Sequence, residues 1–285
     1  MQVLSKARRV WSISATTPSA YSVFPGEVFV VETQDAMDGQ IPVDGSCVAQ
    51  VDASRANPMT GPIRVEGVQA GQTLAVQILD IAVEEQGWMS SSPTGLVNAV
   101  RGNLAAFVPD VQLPIRPMIG VVGVAPSTDS YTGKDVGPCG GNLDIKEIGA
   151  GTTVYLRARV PGANLVFGDV HALQADGECS GTGIEIGARI MIRVGVLERG
   201  LCEGIYFHRH GVLSTVGASP DLREACDRAV GHLAQIISDA SGLDATRSRM
   251  FLSLMADVHV GQFVCPIQSA YASLDLRACP WPIRL

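Results

Sequence analysis

Through the first two thirds of the chain, apolar residues come in short runs, alternating with polar ones and cut by Gly and Pro, which is the pattern of strands joined by turns. Phe24–Glu32 begins at a Pro-Gly turn. Gly61–Glu66 and Thr73–Ile81 follow, separated by a turn at Gly67–Gln72. Met118–Ala125, Thr152–Val160 and Ala163–Gly168 are predicted as further strands. In Ile184–Val196 the alternation is regular: Ile184, Ile186, Ala188, Ile190 and Ile192 share one face, and Glu185, Arg189 and Arg193 share the other. Glu185 is therefore expected to project away from the apolar side.

After about residue 200 the period changes. Ser219-Pro220-Asp221 has the make-up of a helix start, with Ser219 as N-cap and Pro220 in the first turn. Leu222, Cys226, Ala229, Leu233 and Ile236 then recur at helical spacing. A second helix is predicted over Asp244–Met255 with Phe251, Leu254 and Met255 on its apolar side, and Val258–Ile267 is predicted as a closing strand. The expected architecture is mainly β, with a β-rich domain over residues 1–200 and a smaller α+β part over 201–285.

Composition narrows the functional classes. The chain has 285 residues, 46% of them hydrophobic and 17% charged, enough for a substantial core. A net charge of −7 argues against binding nucleic acid or an anionic membrane through a basic surface. The basic start (Lys6, Arg8, Arg9) is not followed by an apolar stretch, so no secretory signal is expected, and no apolar run reaches the roughly 20 residues of a membrane span. A soluble, cytoplasmic protein is expected. The seven cysteines are scattered, without a CxxC pair, as reduced thiols are.

Candidate chemistry concentrates in Gly168–Glu178, where Asp169, His171, Asp176 and Glu178 fall within eleven residues. On a strand, Asp169 and His171 share a face, as a metal site or an acid–base pair requires. Asp176-Gly177-Glu178 then falls on a turn beyond the strand. A structural histidine beside a surface acid gives the same local pattern. A second candidate is Cys139-Gly140-Gly141-Asn142-Leu143-Asp144, where glycines allow close backbone approach and Asn142 and Asp144 offer oxygen ligands. A tight turn is its plainer explanation. His208 and His210 are at strand spacing, and His232 and His259 stand alone; solvated or packed histidines explain them. There is no nucleophile elbow, P-loop or dinucleotide fingerprint.

Taken in order, several blocks resemble the acetamidase/formamidase family. They are Pro25-Gly26-Glu27-Val28 with Glu32–Ala36, Asn57–Gly67 with Gly71–Val76, Pro117–Gly120 with Gly123–Pro126, Gly140–Asp144, and Gly181 with Ile184-Glu185. The resemblance implies a jelly-roll and barrel-like β body and hydrolysis of a short linear amide to carboxylate and ammonia. It implies a divalent metal, zinc or calcium, at Asp169, His171 and Glu185 with Asp144. It matches Glu178 to an acid of the family's site segment and implies a homo-oligomer; the mechanism expected on that basis takes Glu178 as general base beside Asp176, with backbone N–H groups around Gly140, Gly141 and Asn142 contacting the substrate. Cys139 and Ala175 depart from the family pattern. Cys139 leaves two alternatives: an acyl-enzyme amidase using that thiol, or an inactive relative that binds a small molecule or metal.

Overall fold

A computed structural model describes residues 1–42, 51–91 and 94–285, so Cys47 lies outside the described residues. The chain is mainly β, as expected: most strands are hydrogen-bonded into one large curled sheet, Ser12–Ser14 and Ser130–Thr132 form a separate two-stranded one, and two helices lie near the C-terminus. Its spine is the antiparallel pair Thr73–Ser91 and Glu185–Leu197, registered from Trp88↔Glu185 to Thr73↔Leu197. The first of these strands runs ten residues past the predicted Ile81. Along Glu185–Leu197 the alternation predicts the faces correctly: Ile186, Ala188, Ile190, Ile192 and Val194 are buried, and Arg189 and Arg193 are exposed.

The strand Leu165–His171 is buried along its whole length. It pairs antiparallel with Met118–Gly123 on one side and with Met59–Val65 on the other. At its end, His171 lies directly opposite Glu185. A strand hydrogen-bonded on both edges and covered on both faces can carry polar side chains only where they find partners. The polar residues on it therefore mark a site.

The C-terminal part differs in detail from its sequence pattern. Helix α1 spans Leu222–Ser241 and is capped by Asp221, whose carboxylate accepts from Glu224 N–H at 2.8 Å. Ser219 instead accepts from the Asp221 N–H, which shifts the helix start two residues past the predicted cap. Helix α2 spans Ala245–Met255 and buries Ser248 and Leu252, while Leu254 is 83% exposed. The predicted apolar side is rotated, because Ser248 and Leu252 (i, i+4) face the body and Phe251 packs edge-on to Trp281. The predicted single closing strand is a hairpin, Ala256–Gln262 with Gln268–Asp275. Its second arm also pairs with Val212–Ser219. Among the described residues, no helix is long and apolar enough to cross a membrane.

Candidate functional site

Five ionisable side chains converge at the end of the Leu165–His171 strand. Asp169, His171 and Glu185 each place a ligand-type atom within 4.8 Å of the others, and so do Asp144, His171 and Glu178. His171 belongs to both groups. All five residues are at most 7% exposed. His171 Nε2 lies 3.0 Å from Glu185 Oε2 and 3.5 Å from Asp169 Oδ1.

The backbone places these groups by unusual means. Asp169 (φ 53°), Asp144 (φ 44°), Glu178 (φ 51°) and neighbouring Asn57 (φ 49°) all adopt left-handed conformations without being glycine. Opposite Asp169 in the ladder lies Gly120, and only the absence of its Cβ leaves room for two carboxylates. A methyl there would sit 2.7 Å from the Asp169 carbonyl oxygen and 3.0 Å from Asp169 Oδ2, and closer still to Asp144 Oδ1.

Neutral side chains orient the charged ones. Asn57 donates from Nδ2 to Asp169 Oδ2 at 2.8 Å and to Asn142 Oδ1 at 3.2 Å. Asn142 in turn donates to Asp144 Oδ2 at 2.6 Å. Gln174 donates from Nε2 to the Asp144 carbonyl at 2.8 Å, so its Oε1 accepts, and His171 Nδ1 donates to it at 2.7 Å. This chain assigns the proton to Nδ1 and turns the Nε2 lone pair toward the carboxylates.

Four buried atoms in the cluster have no hydrogen-bond partner outside it: Asp144 Oδ1, Asp169 Oδ1, and the facing His171 Nε2 and Glu185 Oε2. Several lone pairs aimed at one another out of water are costly unless a proton or cation sits among them. The titration behaviour agrees. Burial pushes Glu178 up to about 7, with His171 opposing and Asp169 adding to the rise. Burial takes Glu185 to about 8 against the same opposing imidazole. Burial, Glu178 and Asp169 hold Asp144 well above the carboxylate range. At His171 burial opposes the charge, but Glu185 and Asp169 outweigh it and raise the imidazole well above its usual value. Either trio, an imidazole nitrogen with two carboxylate oxygens, fits a divalent cation.

The sequence candidates separate accordingly. Asp144, Asp169, His171, Glu178 and Glu185 are brought together, and Asn142 joins them through its side chain. Gly140 and Gly141 instead form ladder contacts, and each would drive a Cβ into backbone oxygen, of Val122 and Asp135 respectively. The Asn142 N–H is committed to the Asp135 carbonyl at 2.8 Å. Asp176 turns outward, accepting from Lys146 at 2.7 Å and Tyr271 at 3.2 Å, with His259 Nδ1 at 3.8 Å. Cys139 packs in the core, where burial raises its thiol and Arg159 opposes. The cysteine beside the cluster is Cys265, 3.8 Å from Asn142 Nδ2 and pushed up to about 12 by burial and then by Asp144, Glu178 and Asp169. Sequence reasoning missed Gly120, Gln174 and Cys265. Asn57 and Gly120 lay inside the quoted blocks without a role, and Gln174, three residues after His171, offered the only local signal.

The acetamidase/formamidase family model matches residues 13–91 and 133–212. An acetamidase of Mycolicibacterium smegmatis is 28% identical, over 65% of this chain and 64% of its own length. A formamidase of Methylophilus methylotrophus is 27% identical, over 65% and 63%. The chain thus spans just under two thirds of the length of these curated relatives. Among solved structures, an acetamidase from Bacillus halodurans superposes with a TM-score of 0.94 at 32% identity, covering 96% of this chain and 97% of its own. A γ-lactamase from Delftia acidovorans shares the fold, with a TM-score of 0.67 at 19% identity.

Proposed function

Because the chain belongs to the acetamidase/formamidase family, we propose that it hydrolyses a linear primary amide to a carboxylate and ammonia at the Asp144–Asp169–His171–Glu178–Glu185 cluster. The observation that carries this reading is the set of four buried ligand-type atoms on Asp144, Asp169, His171 and Glu185 with no partner outside the cluster. These residues would hold a divalent cation, and the imidazole in the set favours zinc over calcium, which prefers oxygen throughout. Such an ion supplies polarisation of the amide carbonyl and acidification of a water toward neutrality.

The remaining work falls to the chain itself. Gln174 keeps His171 in the tautomer that presents Nε2. Asn57 and Asn142 hold the Asp169 and Asp144 carboxylates in place. Glu178, on its turn, takes a proton from the attacking water onto its carboxylate and delivers it to the departing nitrogen. An acid raised to about 7 is matched to both halves of that transfer. Burial of the cluster excludes bulk water and strengthens each of these interactions. The same reading takes the enzyme as a cytoplasmic homo-oligomer, the assembly being checked by light scattering.

The test is ammonia release from formamide and acetamide by the purified protein, with metal content from elemental analysis. Glu178→Gln is expected to retain the metal and to lose about 100-fold or more in kcat. Undiminished activity in that variant, or full activity after the metal is stripped, overturns the mechanism.

A further inference from the structure

A cavity of about 400 Å³ abuts the cluster, walled by Met89, Phe107, Leu113, Leu173 and Ile184, with Glu178 and Gly183 also on its lining. Two observations connect it to the chemistry. Glu178 belongs to both: its carboxyl faces Asp144 and His171, receives the Gly183 N–H, and its side chain borders the cavity. Gly183 lies flat against the imidazole, so that a Cβ there would sit 2.6 Å from His171 Nδ1. A single glycine backbone therefore separates the cavity from His171. The two sides of the cavity come from different parts of the fold. Leu173 and Ile184 flank the site turn and are tied by the Ile184 N–H donating to the Leu173 carbonyl at 3.0 Å. Met89, Phe107 and Leu113 come from the extended arm formed by the end of Thr73–Ser91 and the strands Leu104–Val108 and Val111–Pro114.

The size and lining of this cavity are informative about substrate. It falls within the range of about 300–1,000 Å³ usual for small-molecule sites. A water-sized group takes roughly 30 Å³, so the cavity has far more room than a formyl or acetyl group needs. Most of its lining is apolar; of the larger polar side chains on it, Gln174 is hydrogen-bonded to His171 and the Asp144 carbonyl and Asp176 to Lys146 and Tyr271, so an acyl chain against the apolar walls would bury surface without leaving those groups unpaired. We propose that this cavity is the acyl pocket of the enzyme and that its preferred substrates are primary amides with an apolar acyl group of about four to eight carbons. This inference rests on amide hydrolysis at the adjoining cluster.

The experiment is a series of kcat/KM values for formamide, acetamide, butyramide and hexanamide, on wild type and on Leu113→Trp, which puts a bulkier side chain on the pocket wall. In wild type, kcat/KM is expected to rise about 10-fold or more between acetamide and hexanamide, since seating even one of the four added methylenes in an apolar pocket is worth roughly 10-fold. Leu113→Trp is expected to lose that gain, with an unchanged melting temperature and metal content showing that the variant is folded. Leu113→Ala, a second variant that keeps the pocket open, is expected to retain the preference for hexanamide. A series that falls steadily from formamide, or a Leu113→Trp variant that lowers all four amides equally, overturns the acyl pocket while leaving amide hydrolysis intact. No turnover of any amide by folded, metal-loaded protein overturns both.

Discussion

Gly120→Ala isolates how tightly the cluster is packed. The Gly120 backbone does not adopt a left-handed conformation, so alanine fits it without backbone strain and the perturbation is the methyl alone. That methyl would lie 2.7 Å from the Asp169 carbonyl oxygen, against the 3.4 Å at which ordinary contact begins, leaving about 0.7 Å to be made up. The obstacle on that side is backbone of a strand paired on both edges, and on the other side it is the Asp144 carboxyl, buried and without slack. Overpacking of this kind costs about 1–3 kcal/mol, which lowers Tm by roughly 2–8 °C in a chain of this size. Displacing a reacting group by about 1 Å costs on the order of 100-fold in rate, so kcat/KM is expected to fall by about 10- to 100-fold. The assay is ammonia release on wild type, Gly120→Ala and the control Gly137→Ala, whose added Cβ meets nothing within 4 Å, with calorimetry and metal analysis on each. Activity of Gly120→Ala within about twofold of the control, at unchanged metal content, refutes the claim that this glycine makes room for the two carboxylates.

Three further outcomes are expected. In chelated protein, Glu178 and Glu185 sit at about 7 and 8, above their unfolded values, and His171 is raised as well. The folded state then holds more protons than the unfolded one, so stability is greatest below about pH 4.5 for these groups and is lost as pH rises through 7 and 8. Melting curves of metal-free protein from pH 5.5 to 9 should show Tm falling, and metal should flatten the trend; a rising Tm contradicts the assignment. Asp176→Asn weakens the ties from Lys146 and Tyr271 that hold the Glu178 turn, and is expected to lower kcat by about 10-fold with KM little changed; an effect on KM alone would place Asp176 at the substrate instead. Cys139→Ala removes a core thiol whose ionisation is suppressed by burial, and at least half of wild-type turnover should remain, whereas loss of activity with no change in Tm would revive the acyl-enzyme route.

Alternation alone was enough to predict much of the β body, because strands such as Glu185–Leu197 are covered on one face and open on the other. It placed Glu185 opposite the isoleucines but could not say what lay there, since His171 meets it only through a pairing between strands. The Asp169–His171 pair was legible from its spacing. Its partners Asp144 and Asn57 come from distant loops, and Gly120 acts by lacking a side chain, which leaves no chemical signal in sequence. The final strand Gln268–Asp275 was missed because α1 and two flanking strands bury nearly all of it. Its mix of Ser, Ala and Tyr therefore carries no two-sided pattern. In α2 the error was one of phase, from large apolar residues that point outward.

The left-handed backbone at Glu178 has a consequence for anyone improving this protein. Asn and Asp tolerate that conformation, which eases positions 57, 144 and 169, but glutamate has no such dispensation. Position 178 joins a disfavoured conformation, worth about 1–2 kcal/mol, to a carboxyl that resists burial. Glycine there would relieve both. A campaign selecting for heat tolerance alone would therefore be drawn to the residue assigned the proton transfer, and its best-behaved variants would be the silent ones. Thermal screens of this fold need turnover as a paired criterion, because at this position durability and chemistry are selected in opposite directions.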